Sequence, residues 1–194
     1  MLHNTFRVDQ EFDLLRSLAK TDYPAPQPLD LALDLPGIDG TFYTMNLVPG
    51  AIPRSFLDKG GKDSAISSTV LLQLAELLAR LHAIPISTFE DYIVKYEDAS
   101  ALADNIGTRY ARNMRGWRDY IDKVEHLPSP YVTWLFHWLE HNIPADARLP
   151  VLTHGDFAVH NVLAVDDRIT GVLDWGELLF FSLRHLLFSS HRKY

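Results

Sequence analysis

Two short apolar runs, Val162-Leu163-Ala164-Val165 and Ile169-Thr170-Gly171-Val172-Leu173, are separated by Asp166-Asp167-Arg168, and this pattern narrows the fold more than any other in the chain. Runs of this length, bounded by turn formers, read as strands. Aspartate tolerates turn conformations and can bond its own backbone, so the residues between the runs read as a turn. Such a hairpin returns Asn161, just before the first strand, to the same end as Asp174, just after the second. His154-Gly155-Asp156 lies on the loop leading in, so two carboxylates and one carboxamide face a single point.

Oxygen donors so placed suit magnesium, a hard cation held by one or two carboxylates together with substrate phosphates. Phosphoryl transfer is mostly positioning and charge neutralisation. A further carboxylate, held off the metal, can orient an acceptor hydroxyl and take its proton. In protein kinases a catalytic-loop Asp precedes an Asn by five positions, and a later Asp-Phe-Gly supplies a metal ligand. Here Asp156 and Asn161 keep the five-residue step, and Asp174-Trp175-Gly176 stands where Asp-Phe-Gly would. A His-Gly-Asp triplet alone is usually just a turn, and an Asp before Trp at a strand end is often a cap; the joint spacing carries the reading. A metal-dependent hydrolase using His154, Asp156, His160 and Asp174 is the competing one, since these residues are also suitable ligands.

His154-Gly155-Asp156-Phe157, Asn161 and Leu173-Asp174-Trp175 together resemble the motif of the aminoglycoside phosphotransferase and choline-kinase-like enzymes, small-molecule kinases with a protein-kinase-like fold. The resemblance implies Asp156 as catalytic base, His154 as a brace for its loop, and Asn161 and Asp174 as Mg2+ ligands. It implies ATP as co-substrate and a small-molecule hydroxyl as acceptor. It also gives roles further upstream. Glu11, on a helix read over residues 6–20, is the candidate to face an ATP-binding lysine; the alternative is a solvated helix residue. The strand Phe42–Val48 would lead into the hinge between lobes, with backbone groups of Asn46, Leu47 and Val48 on the adenine edge.

The fold expected is α+β and protein-kinase-like. Residues 1–48 form a partial N-terminal lobe of helix and strands, and residues 49–194 a mostly helical C-terminal lobe with the catalytic hairpin. The family's glycine-rich hairpin and strand lysine lie upstream of the helix that carries Glu11, yet the ten residues before Glu11 hold no glycine and no lysine. After Gly176-Glu177 the chain turns apolar, over Leu178 to Phe188, and ends on His191-Arg192-Lys193-Tyr194. The expectation is therefore a family member truncated at both ends. Loss of one preorganised donor at a transferring group costs on the order of 10²–10³ in rate, so the activity is expected to be weak or lost. A non-catalytic nucleotide-binding or interaction module is the alternative.

The remaining segments read as helices or loops. Three prolines, at 24, 26 and 28, force an extended connector. Leu29–Leu35 and Thr41–Val48 read as strands around Pro36-Gly37-Ile38-Asp39-Gly40. Gly60-Gly61-Lys62 lacks the spacing of a phosphate-binding loop. Residues 66–82 read as a helix with Leu71, Leu74, Ala75, Leu78, Leu81 and His82 on one stripe. Residues 100–126 read as a long helix with Tyr110, Met114, Trp117 and Ile121 on its apolar side, and Tyr131–His141 as another. His137 and His141 have metal-like spacing but no evident third ligand.

The bulk numbers agree with one domain or two small lobes in 194 residues. A net charge of −7 argues against nucleic-acid binding, which needs Lys and Arg against phosphates. The absence of Cys excludes disulfides and thiolate metal sites. No apolar leader opens the chain, and the apolar stretch near its end is too short to span a membrane and is broken by Arg184 and His185. A cytoplasmic protein without membrane partners is the default expectation.

Overall fold

The computed structural model describes residues 8–33, 36–37, 40–53, 66–125, 129–143, 145–177 and 179–181. Residues 6–7, the turn residues Ile38 and Asp39, the Gly60-Gly61-Lys62 loop and everything from Ser182 onward lie outside that set.

Helix α1 (Val8–Leu18) buries Phe12, Leu14, Leu15 and Leu18 along one face, together with Glu11 and Ser17. The proline-bearing connector follows and is tied down at once, because the Val172 N–H donates to the Pro24 carbonyl at 2.8 Å. Strands β1 (Pro28–Ala32) and β2 (Phe42–Met45) pair antiparallel, with Leu31 opposite Tyr43. Both are shorter than the apolar runs that suggest them.

Helix α2 (Ser68–Ala83) starts where the Ser67 side chain accepts from the Thr69 N–H, as N-cap chemistry favours. Its buried face is Val70, Leu77 and Leu81, with Leu74 packed against the same cluster. The stripe expected from the sequence is thus rotated, and Leu71 and Leu72 are exposed. Helix α3 (Glu90–Tyr96), preceded by a 3₁₀ turn at Ile86–Phe89, is an element the sequence reading does not contain.

The long helix expected over 100–126 is interrupted. A 3₁₀ turn at Ala99–Ala103 gives way to α4 (Ile106–Tyr120), because the Asn105 side chain caps a new start by accepting from the Thr108 N–H. Of α4, only Ile106 and Arg109 are buried, so Tyr110, Met114 and Trp117 do not form the core-facing side expected of them. Helix α5 (Pro130–His141) buries no residue. Three strands follow α5 as far as Val172: β3 (Val151–Thr153), then the hairpin β4 (Val162–Val165) and β5 (Arg168–Val172). A fourth, β6 (Leu179–Phe181), pairs antiparallel with β3. Of the apolar stretch near the end of the sequence, the described residues 179–181 are strand.

One apolar cluster joins these parts. It holds Leu14, Leu15 and Leu18 of α1, Leu77 and Leu81 of α2, Tyr92 and Ile93 of α3, and Leu152, Val162, Val172 and Trp175 around the hairpin. The first helix therefore packs on the same core as the hairpin. Among the described residues, no single helix is long and apolar enough to cross a membrane.

Candidate active site

The hairpin forms as its sequence dictates. Asp166 and Asp167 both take left-handed backbone, φ 47° and 60°, which is the two-residue turn that matches the twist of paired strands. Arg168 is already in β5, opposite Val165. At the open end, Val162 pairs with Val172, and the Leu173 N–H donates to the Asn161 carbonyl at 2.8 Å. Asn161 and Asp174 thus sit on adjoining strand ends.

Asn161 is nearly buried and spends its amide nitrogen on Asp156, donating to the backbone carbonyl at 2.9 Å and to Oδ2 at 3.0 Å. That orientation leaves the amide oxygen for another partner. Asp156 itself is about half exposed, and the His160 ring lies 3.1 Å from the same carboxylate oxygen. The His160 hydrogen bond, aided by Asn161, holds the Asp156 carboxyl below its ordinary value, against desolvation. Asp156 is therefore an ionised group reaching toward solvent from a braced loop. His160, four residues on, is a participant that sequence reasoning names only as a metal ligand.

His154 is almost fully buried. Its Nε2 lies 2.8 Å from the Leu173 carbonyl, which can only accept, so that nitrogen carries the proton. Its ring packs 4.6 Å from the Trp175 ring, centroid to centroid. Burial lowers the His154 pKa, offset in part by the Leu173 bond and by Asp174 and Asp156. It is a neutral structural brace. Among the described residues no three His, Cys, Asp or Glu side chains gather as a metal cluster, so the hydrolase arrangement is not assembled.

Asp174 is exposed and has φ 63°, a left-handed conformation uncommon outside glycine. Next to it, Trp175 is fully buried, stacked edge-on against Tyr23 at 5.8 Å, with its indole N–H on the Val172 carbonyl at 2.9 Å. The backbone N–H of Trp175 donates to Glu11 Oε1 at 3.2 Å. Glu11 is thus no solvated helix residue: it is buried, and its carboxylate also hydrogen-bonds the Tyr43 hydroxyl. Desolvation raises its pKa, opposed by those two hydrogen bonds, and Asp174 nearby raises it further. Tyr43, half-buried on β2, is a member of this constellation that no sequence motif marks.

The segment expected as a hinge lies across the hairpin. Ala51 and Ala164 exchange both backbone hydrogen bonds, at 3.0 and 2.9 Å. Val48 occupies the space above Gly171, where a Cβ would come within 2.6 Å of its methyl. The Asn46 N–H is taken by the Gln27 carbonyl at 3.0 Å, and its side chain accepts from the Gln27 N–H. Of the three residues expected on an adenine edge, only Leu47 and Val48 therefore keep both backbone polar groups without a partner among the described residues. His137 and His141 do share a face of α5, but the His141 ring bonds the His137 carbonyl, away from this site.

The hairpin lies in a fold that solved structures share. Solved structures with the same fold include a Ralstonia eutropha protein classed as an aminoglycoside phosphotransferase, at TM-score 0.63 and 22% identity over 90% of this chain and 51% of that one. The ADP-bound aminoglycoside phosphotransferase APH(2'')-Ib follows the same course at TM-score 0.53 and 20% identity, over 90% of this chain and 56% of its own. Acyl-CoA dehydrogenase family member 11 of Gallus gallus and that of Homo sapiens are each 29% identical to it over 90% of its length. The chain spans only 21% of those curated relatives. A family model described as the phosphotransferase enzyme family matches residues 3–180, nearly the whole sequence and all of the hairpin site. With fold, motif and match in agreement over that span, the chain belongs to the phosphotransferase enzyme family.

Proposed function

We propose that this chain binds Mg–ATP and transfers its terminal phosphoryl group to a hydroxyl of a small molecule. The observation that carries the reading is the Asp156–Asn161 pair. One amide fixes the base through its nitrogen and keeps its own oxygen for another partner, at the same end of the hairpin as Asp174. Asn161 and Asp174 would hold Mg2+, and the fit rests on chemistry present here: a free amide oxygen and an exposed carboxylate, both hard donors on adjoining strand ends. When bound, the ion neutralises charge on the phosphates.

The chain's own groups do the rest. Asp156, ionised and solvent-facing, orients the acceptor hydroxyl and takes its proton. His160 and Asn161 hold that carboxylate from two sides. His154 keeps the loop against Trp175. Leu47 and Val48 offer a backbone edge to the adenine, with the Val48 side chain against Gly171 of the hairpin.

A second reading, a nucleotide-binding module without turnover, draws on one observation. The partners of the buried Glu11 carboxylate are a peptide N–H and a phenol, and among the described residues no Lys or Arg pairs with it. The test measures ATP-dependent phosphorylation of pooled small-molecule alcohols, and ATP binding by calorimetry, with Mg2+ and with chelator. Turnover that disappears in Asp156→Ala while binding persists supports transfer. Binding without turnover selects the second reading, and no Mg2+-dependent binding at all refutes both.

A further inference from the structure

Helix α5 carries two histidines that the phosphotransfer reading does not use. His137 and His141 are four residues apart, about one helical turn, and both are exposed. Their rings lie 5.5 Å apart, centroid to centroid, and are tilted by 35°. A ring nitrogen about 2.1 Å from a zinc ion sets the ring centre about 3 Å from it, and two such rings at a tetrahedral angle lie about 5 Å apart. The observed spacing is therefore one at which two imidazoles can share an ion.

The hydrogen bonding of His141 suits a ligand. Its Nδ1 lies 2.7 Å from the His137 carbonyl, which can only accept, so Nδ1 carries the proton and the neutral ring keeps a lone pair on Nε2. Metal-binding histidines spend their second ring nitrogen on a carbonyl or carboxylate in just this way, which fixes the ring and makes it a better donor. The two rings border an open depression of about 770 Å³, shared with Thr133 and Trp134, which leaves room for an ion and its water. His141 also stands in the last turn of α5, where the negative pole of the helix dipole favours a cation. His137-Trp138-Leu139-Glu140-His141 has the H-x-x-E-H spacing of one class of zinc peptidases, in which the glutamate is the general base. Here Glu140 is spent on Arg118, at 3.1 Å, so that base is not free.

We propose that His137 and His141 form a two-imidazole site for zinc or another late first-row divalent ion, with water in the remaining positions, and that the site binds the ion without hydrolytic chemistry. Imidazole suits zinc, copper and nickel, whereas magnesium asks for oxygen donors. The site is independent of the one proposed at Asn161 and Asp174, and its test uses no nucleotide.

The experiment titrates the untagged, metal-stripped full chain with Zn2+ by calorimetry, beside His137→Gln, His141→Gln and His160→Gln. Loss of an outer-shell partner alone costs about 10–100-fold in metal affinity, so loss of either ligand is expected to weaken binding by at least about 10-fold. His160→Gln and an excess of Mg2+ are each expected to leave the affinity within about 2-fold, well inside that effect. Unchanged binding in the two α5 variants overturns the site. So does binding that disappears in His160→Gln or is displaced by Mg2+, since the ion would then lie at the catalytic loop. Electron paramagnetic resonance of Cu2+ bound to the parent decides without any variant: coupling to two imidazole nitrogens is expected, and coupling to one or none overturns the proposal.

Discussion

Gly50 is where the hinge meets the hairpin, and replacing it with alanine should do more than strain one residue. Its φ is 125°, a region L side chains rarely enter, and a Cβ there would stand 2.8 Å from the Ala164 carbonyl oxygen and 3.0 Å from that residue's C and N. These are backbone atoms of β4, and the adjacent Ala51–Ala164 bridge prevents the hinge from drifting away. The strain contributes about 1 kcal/mol at the low end of such outliers. Relief of the clash requires overpacking, at about 1–3 kcal/mol, or loss of the bridge, at about 0.5–1.5 kcal/mol per hydrogen bond. The expected total is about 3 kcal/mol, or a fall in Tm of roughly 6–12 °C for a domain of this size. Gly37 supplies the control: its φ is 84°, but a Cβ would meet nothing within 4 Å. Gly37→Ala should therefore show the strain alone, about 1 kcal/mol. Urea unfolding of the two variants beside the parent measures the difference. If Gly50→Ala is no less stable than Gly37→Ala, the contact between hinge and hairpin is not the constraint argued here.

Gly171 poses a milder version of the same conflict, because the group in the way is the Val48 side chain, 2.6 Å from the place a Cβ would take. Gly171→Ala should lose about 1–3 kcal/mol, and adding Val48→Ala should return most of it, as read from a double-mutant cycle in urea. Trp175→Ala, at a fully buried site touching Tyr23 and His154, should lose about 3–5 kcal/mol in the same assay. The pH dependence follows from burial of His154, which lowers its pKa from 6.5. The unfolded chain takes up a proton that the folded chain resists, so this residue's contribution is intact above about 6.5 and is lost as pH falls through and below it. Glu11 acts in the opposite sense, since its raised pKa favours the folded state as pH falls towards 4.5. Subtracting His154→Gln from the parent isolates the histidine: the loss of urea midpoint between about pH 7.5 and about pH 5.5 should be smaller in the variant, and an equal loss would refute the assignment.

The hairpin was legible because every local signal agreed: branched apolar residues on either side and two aspartates that accept left-handed backbone. The spacing of Asp156, Asn161 and Asp174 was legible for the same reason, as the hairpin closes within a few residues. The helices were harder. Leu71, Leu72, Leu74, Leu77 and Leu78 make α2 apolar on most faces, so periodicity could not select Val70, Leu77 and Leu81 as the buried ones. The break before α4 did carry a signal, an Asn105 three residues before Thr108, and the aromatic spacing further on outweighed it. The environment of Glu11 was out of reach altogether. Its partner, the Trp175 N–H, is 164 residues away in sequence, and no local pattern records a contact of that range.

The same separation explains how the two carboxylates of the site differ. Asp174 is fastened through His154, Trp175 and Glu11 to the apolar cluster that also holds α1 and α2. Asp156 is half exposed and is held by its immediate neighbours in sequence, Asn161 and His160. The loop that carries Asp156 is tied to the same cluster by His154, Phe157 and Val159, whereas releasing Asp174 requires Trp175 itself to leave the core. Weakening α1, at Leu14 or Leu15 for instance, therefore reaches the Asp174 end of the site through Glu11.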